Sequence, residues 1–473
     1  MNENESGKIS LRMRLAFACG EVGDNMALNT FTFLIFTFYF TVVRIPAPLM
    51  SLGFILWAIW NAINDPLIGY FSDRTKSRWG RRIPWMIGAT IPLAILMILL
   101  FTPPGTFPTN QSVFAYFLVI LILFDFAYTA FNLNYNALFS EMFVDMRARS
   151  STGRIRIIFV LLATMFALTF PTLVIDDITN SHPENVSTTM LQYLITGIVA
   201  GIVIFVFYFI ILKWGVKDPK HLSKDAESAM PFVKTVKFTF KHKSFLWFLF
   251  PALGTWLVIN ILPTLAPLFF TYAIGIKDTE FIGILLLITF LVAAASTPLW
   301  ELIRVKKGAR FCGLIGITLW LVSVVLFAYT PEGNFLWALI FMIFFGIGLG
   351  GGLYFYDQCI AEIIDEDEIT YGVRRSGIYY AVLNFLIRLS MILNFVIIGL
   401  VFTSTDWMNY NPNPGLSLEK IIAGLRMLMG IYPAIVLGLS LIGMYLYPIK
   451  GERLRENRKR LTELHNKKRS SLV

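Results

Sequence analysis

Acids and amides recur inside stretches that are otherwise apolar, and their spacing is helical. Glu21 and Asp24 are three residues apart, which puts both on one helical face, and Asn25 and Asn29 follow four apart. Asn61 and Asp65 are again four apart, and Pro66 comes next, a residue expected to break the helix and free a carbonyl near the acid. A third group holds Asp125, Tyr128, Thr129 and Asn132, followed by Asn134, Tyr135 and Asn136. Later stretches contribute Arg154 and Arg156, then Tyr354, Tyr356, Asp357 and Gln358, then Asn384, Arg388 and Asn394, and last Arg426. An acid within a membrane helix is costly and marks a functional site by default. Hard cations want several oxygen ligands, so Asp24, Asn25, Asn61 and Asp65 could hold sodium. The same acids could instead carry a proton, or could pair with a basic residue and tie two helices together. Asp125 could serve only to neutralise an arginine. Arg156 and Arg388 could bind an anionic or hydroxylated solute, or be the partners of these acids. Asn132, Tyr128 and Thr129 offer the neutral hydrogen-bonding groups that sugar hydroxyls need.

The elements that position these residues are membrane spans. Of 473 residues, 56% are hydrophobic and 15% charged, with a mean hydropathy of +0.67. A soluble protein carries about 25% charged residues. The apolar residues fall in long runs rather than alternating, as over 31–43 and 195–212. The expected class is an all-α polytopic membrane protein. Twelve spans are read, near 15–42, 50–71, 84–102, 113–139, 156–175, 191–212, 245–272, 281–300, 311–329, 335–360, 377–402 and 421–447. The three cysteines, Cys19, Cys312 and Cys359, lie in apolar runs without metal-ligand spacing and read as small core residues. The start of the chain is polar, and the first apolar run is too long for a cleavable signal.

Charge fixes an expected orientation. One set of connections holds Lys8, Arg12 and Arg14, the Arg74, Lys76, Arg78, Arg81 and Arg82 loop, Arg147 and Arg149, the lysines of 213–243, Arg304–Arg310, Arg374 and Arg375, and the tail from Lys450. The opposite set holds only Arg44, Lys277 and Lys420. The positive-inside rule then puts both termini in the cytoplasm. The net charge of +10 is explained by these loops, and no nucleic-acid partner is expected. The chain divides into an N-terminal six-helix half over 1–212, a middle loop over 213–244, a C-terminal half over 245–448 and a basic tail over 449–473. Part of the middle loop, PFVKTVKFTFKHKSF, alternates aromatic and basic residues. It reads either as a helix lying on the anionic leaflet or as a solvated linker. Two parallel six-helix halves with a solute site between them are a transporter architecture.

Enzyme chemistry finds no support. GIGLGGGLYF has glycine spacings that hint at a dinucleotide fingerprint, but no strand precedes it, and close helix contact explains the glycines better. No serine–histidine–acid set, zinc spacing or phosphate loop appears. The four histidines, His182, His221, His242 and His465, fall in loops or the tail. No cofactor is expected beyond a coupling ion, sodium or a proton.

The segment NDPLIGYFSDRTKSRWGRRIPW resembles the signature of the glycoside–pentoside–hexuronide cation symporters, the melibiose-permease-like branch of the major facilitator superfamily. AEIIDEDEITYGVRRSGIYY resembles that family's loop between helices 10 and 11, an acidic turn before a glycine, an arginine and a small-residue helix start. The opening CGEVGDNM also fits, and the resemblance covers all twelve spans. It implies the major facilitator fold and sugar uptake coupled to sodium, lithium or a proton by alternating access. The family's cation site uses two helix 2 acids four apart and a helix 4 threonine, which here read Asn61, Asp65 and Thr129. One acid is missing, and Asp24 or Glu21 would have to substitute. The family's galactoside-binding acids fall on Asn25 and Asn132, both amides, which argues against an unchanged melibiose-type specificity. Its helix 5 arginine corresponds to Arg156, with Arg154 one slip away. Its helix 11 lysine corresponds to Arg388, which keeps the charge but changes the geometry. Asp73 and Arg74 resemble the superfamily's gating motif.

The expected protein is a monomeric, multi-pass secondary active symporter of the inner or plasma membrane. A sugar or glycoside would contact Asn25, Tyr128, Asn132, Arg156, Tyr356 and Arg388. Asp65 would carry the coupling, with Asn61, Thr129, Asp24 and Glu21 nearby. Two rivals remain open: a related carrier for an anionic sugar or a lysolipid, and a membrane sensor that binds without transporting.

Overall fold

The computed structural model describes residues 10–103, 109–143, 146–180, 182–217, 239–276, 278–372 and 376–470. All regular elements among them are helical. In chain order they are α1 (Leu11–Val42), α2 (Ala47–Arg74), α3 (Ile83–Leu99), α4 (Asn110–Met142), α5 (Met146–Val174), α6 (Val186–Gly215) and α7 (Lys243–Ile274). There follow α8 (Thr279–Lys307), α9 (Ala309–Ala328), α10 (Phe335–Tyr371), α11 (Ser376–Ser404), α12 (Gly415–Leu446) and the tail helix α13 (Gly451–Ser470). Eleven of these are long and apolar enough to cross a bilayer, and α3, with 17 residues, is a shorter apolar helix. Seventeen residues rise about 25 Å, near the ~30 Å hydrocarbon thickness, so α3 takes the place of the third expected span. The amphipathic stretch expected in the middle loop lies outside the described residues up to 238.

Local chemistry sets the ends of these helices. Thr109 and Ser112 form a capping box at the start of α4. Gly372, at φ +74°, ends α10 in the left-handed conformation that a side chain would resist. Two expectations need correction. Pro66 does not break α2, which runs unbroken to Arg74. A proline removes one N–H, and a helix wedged between neighbours tolerates that loss. The acidic stretch expected as a turn after span 10 is helical, because α10 continues to Tyr371. Its charges are taken up locally. Glu366 accepts from Ser244 (2.5 Å) and from Arg453 of α13 (2.8 Å), and Asp367 accepts from Tyr379 (2.9 Å).

The same helix pairings occur twice. In the first half α1 packs on α5 and α6, α2 on α4, and α3 on α4 and α6. In the second half α7 packs on α11 and α12, α8 on α10, and α9 on α10 and α12. Adding six to each number of the first set gives the second. The contacts between halves obey the same exchange: α1 meets α7, while α2–α11 and α5–α8 are equivalent pairs. The glycines of GIGLGGGLYF make the α9–α10 contact possible. A Cβ on Gly348 would lie 2.6 Å from Trp320 Cα, and one on Gly351 2.7 Å from the Trp300 ring and 3.0 Å from Gly316 Cα. Cys312 and Cys359 are buried and Cys19 is half-buried, all as free thiols.

Twelve traverses return the chain to the face where it began. On the opposite face the halves are closely joined. Tyr410 bonds Tyr272 (2.7 Å) and the Thr179 carbonyl (2.5 Å), and Thr279 donates to the Asp176 carbonyl (2.8 Å). The Ala47 N–H donates to the Met408 carbonyl (2.8 Å), and Phe40 packs on Phe402, Trp407 and Tyr410. Deeper in the bundle Phe54 of α2 stacks on Phe395 of α11 with ring centres 4.2 Å apart.

Candidate functional site

Two polar groups occupy the heart of the first half. The first joins α1, α4 and α5. Glu21 is 6% exposed and pairs with Arg156, whose Nε donates to it at 2.5 Å. Tyr135 also donates to Glu21 (3.1 Å), and Asn25 donates to its carboxylate (3.3 Å) and to its carbonyl (2.9 Å). Arg156 reaches on to the Asn136 side-chain oxygen (2.7 Å) and lies over the rings of Phe139 and Tyr135, 4.4 and 4.9 Å from their centres. Asp24 accepts from Asn132 (2.6 Å) and Tyr128 (3.3 Å). Glu21, Asp24, Asn25, Tyr128, Asn132 and Arg156 thus form one neighbourhood.

The second group joins α2, α4 and α11, and it crosses between the halves. Arg388 pairs with Asp65 at 2.5 Å, and Thr129 donates to the same carboxylate at 3.3 Å. Each of these side chains keeps some solvent access, 24% for Asp65 and 29% for Arg388. Asn61 donates to Asp125 rather than to Asp65. Asn64 (3.0 Å) and the Trp57 indole (3.0 Å) donate to Asp125 as well. Asp125 is 2% exposed, and its hydrogen bonds come from these neutral donors, not from an arginine. An arginine counter-charge was one expectation for Asp125: Arg156 is paired with Glu21 and Arg388 with Asp65, and Arg388 acts on Asp125 through its charge without a hydrogen bond.

Sequence reasoning gave Asp125 no place in the site and did not weigh Trp57. A signal was available, since Asp125 stands four before Thr129 just as Asn61 stands four before Asp65. Tyr356 lies in the other half, against Phe248 and Trp256, with ring centres 5.7 and 6.2 Å away. Asp73 pairs with Arg82 (3.0 Å), and Arg82 and Arg81 share Glu141 (2.8 Å each). Arg74 stays out of that network, its guanidinium 3.6 Å from the centre of the Tyr70 ring. Glu141 closes this α2–α3–α4 knot, and sequence reasoning missed it because it stands alone on its stretch.

Above the polar groups, toward the joined face, a small cavity lies between the halves. Phe31, Ile35, Phe54 and Trp57 of the first half line it, with Ile261, Met391, Phe395 and Ile398 of the second. Thr32, Asn260, Thr264 and Asn394 are its polar members. The site is therefore two-part, charged and amide-rich below, aromatic and aliphatic above.

Residues 16–451 match the family described as MFS/sugar transport protein. An uncharacterized symporter of Synechocystis sp. is 24% identical over 93% of this chain and 95% of its own length. The sodium-dependent lysophosphatidylcholine symporter 1 of Xenopus tropicalis is 26% identical, covering 99% and 93%. Among solved structures, a bacterial homologue of the human lysosomal transporter Spinster, in an inward-facing and occupied conformation, superposes with a TM-score of 0.66. It shares 13% identity over 92% of this chain and 96% of its own, a likeness of fold. The repeated helix pairing, the charged groups buried between two halves and the match across nearly the whole chain lead to one conclusion: the protein belongs to the MFS/sugar transport family and is a multi-span major facilitator transporter, not an enzyme.

Proposed function

We propose that this protein is a cation-coupled symporter that moves a sugar or glycoside by alternating access, with both termini in the cytoplasm. The Asp65–Arg388 pair carries the reading. Among the described residues it is an ion pair that crosses between the halves, and Thr129 adds a neutral oxygen beside it. A cation bound at Asp65 would compete with Arg388 for the carboxylate. The freed guanidinium would then be available to a solute hydroxyl or anion, so each ligand favours the other, as reciprocal coupling requires. Contacts joining the halves on the face opposite the termini support a form that opens toward the cytoplasm. Asn25, Asn132, Tyr128 and Arg156 would bind solute hydroxyls, and Tyr356, packed on Phe248 and Trp256 in the other half, would join them only if the two halves close on the solute. The Asp73–Arg82–Glu141 knot would hold one conformation.

A second reading has its own support. The upper cavity is lined mostly by apolar side chains, but its free space in this conformation is about 20 Å³, room for a water and not for a chain, so this reading requires the halves to part there; the Xenopus relative is a lysophosphatidylcholine symporter by name. A lysolipid would place its polar head on the charged groups and its chain against Phe31, Phe54 and Phe395. One experiment addresses both readings. Proteoliposomes are given labelled sugars, glycosides and lysophosphatidylcholine under a sodium gradient, a proton gradient or neither, with wild type and Asp65→Asn. Gradient-driven accumulation that Asp65→Asn abolishes supports coupling at Asp65, and the accumulated solute chooses between the readings. Uptake of any of them that is indifferent to every gradient and to Asp65→Asn would sink cation coupling.

A further inference from the structure

We propose that Asp125 on α4 supplies the second carboxylate of the coupling-cation site, with the amide oxygens of Asn61 and Asn64 turned to the same ion. The inference rests on the cation-coupled reading above. Helices α2 and α4 cross the bundle in the same direction, so residues pair in rungs. One rung is Asp65–Thr129 (3.3 Å), and the next, four residues earlier on each helix, is Asn61–Asp125. Four residues are about one turn, roughly 5.4 Å along the axis. The acid expected at position 61 is an amide here, but its rung still holds one carboxylate, contributed by the facing helix.

The surroundings of Asp125 point to a ligand. Asn61 is 6% exposed and Asn64 is fully buried, and each gives its Nδ2 to Asp125. The Oδ1 atom of each has no hydrogen-bond partner. An unpaired buried carbonyl oxygen is costly and calls for an explanation. Half a turn of either amide about its terminal bond replaces the donated N–H by that oxygen. Asp125, Asn61 and Asn64 would then present oxygens alone, the donor set a hard monovalent cation prefers. Trp57 Nε1 would keep its bond to Asp125 and hold the carboxylate in place. Charge agrees. Asp65 and Asp125 carry two negative charges against the single positive charge of Arg388, so one added cation brings the set to neutrality.

The test uses the full chain in lipid nanodiscs, without solute, titrated with sodium or lithium chloride at constant ionic strength. Trp57 donates to Asp125, so the part of the tryptophan emission change that is lost in Trp57→Phe reads the site, and thermal stability provides a second readout. We expect saturable sodium binding in wild type and a fall in affinity of more than about 10- to 100-fold in Asp125→Asn, since that is the scale for losing a group that only supports a ligand. The swap Asn61→Asp/Asp125→Asn returns the acid to α2 on the same rung and should restore binding, which a purely structural Asp125 would not permit. If Asp125→Asn titrates like wild type while Asp65→Asn does not bind, the proposal is overturned and symport stands. If Asp125→Asn does not fold, the swap decides: folded and sodium-competent supports the proposal, folded and sodium-blind overturns it. A wild type indifferent to both ions also overturns the site, and uptake driven by a proton gradient would then preserve the symport reading alone.

Discussion

Replacing Arg156 by leucine should leave Glu21 buried without its counter-charge and be costly. Glu21 is 6% exposed, and the Arg156 side chain is 15% exposed, so the pair is poorly screened. Removing one partner of a buried pair typically costs about 3–5 kcal/mol, because the other charge is left without compensation. Tyr135 and Asn25 would still donate to Glu21, which limits the damage. Asp24, one turn away on the same face, adds like-charge repulsion once the guanidinium is gone. The two corrections oppose each other, so the expected cost stays near ~3 kcal/mol. Neutralising both partners, as Glu21→Gln/Arg156→Gln, should recover most of it, since an uncharged pair can still hydrogen bond. The assay is a double-mutant cycle on reversible unfolding in mixed micelles, run beside the solute-uptake assay. A coupling energy below about 1 kcal/mol, the value of an exposed pair, would refute the reasoning. It would mean that water reaches Glu21 from the space between the halves.

Two further outcomes follow from the packing and from one titrating group outside the spans. Gly351→Val should cost about 1–3 kcal/mol or more, because its Cβ would lie 2.7 Å from Trp300 and 3.0 Å from Gly316 Cα. Gly438→Ala on α12 meets no atom within 4 Å and should keep or raise thermal stability, by up to about 1 kcal/mol from helix propensity, which provides the control. His242, before α7, is pushed below its ordinary value by burial, more than the carboxylates of Glu366 and Asp367 raise it, and Arg453 pushes the same way as burial. The folded protein therefore prefers the neutral imidazole. The stability this contributes is present above the ordinary histidine value, near ~6.5, and is lost as pH falls through the lowered folded value. Melting temperature should drop more steeply between pH 7 and pH 5 in wild type than in His242→Asn, and equal slopes would contradict this account.

The amino-acid order alone determined the membrane class, the span count and the set of costly residues. Those conclusions rest on composition, run length and charge, which bilayer solvation imposes on a segment wherever it packs. Helical spacing also determined that Asn61 shares a face with Asp65, because three- and four-residue separations are local geometry. Which faces meet was decided by the tertiary structure. Arg388 stands 323 positions beyond Asp65 (388 − 65), and only the docking of α11 on α2 makes them a pair. Asp125 could be read from the sequence as a counter-charge for an arginine; the rungs of α2 and α4 add hydrogen bonds from Trp57, Asn61 and Asn64, while Arg388 reaches it through charge alone. The acidic stretch after Cys359 read as a turn because it resembles the family's loop between helices 10 and 11. Ser244, Arg453 and Tyr379 come from distant segments and pair with its charges, which lets α10 continue as helix to Tyr371. Local sequence shows where a charge is costly, but the chemistry that compensates it comes from whatever element the fold brings alongside.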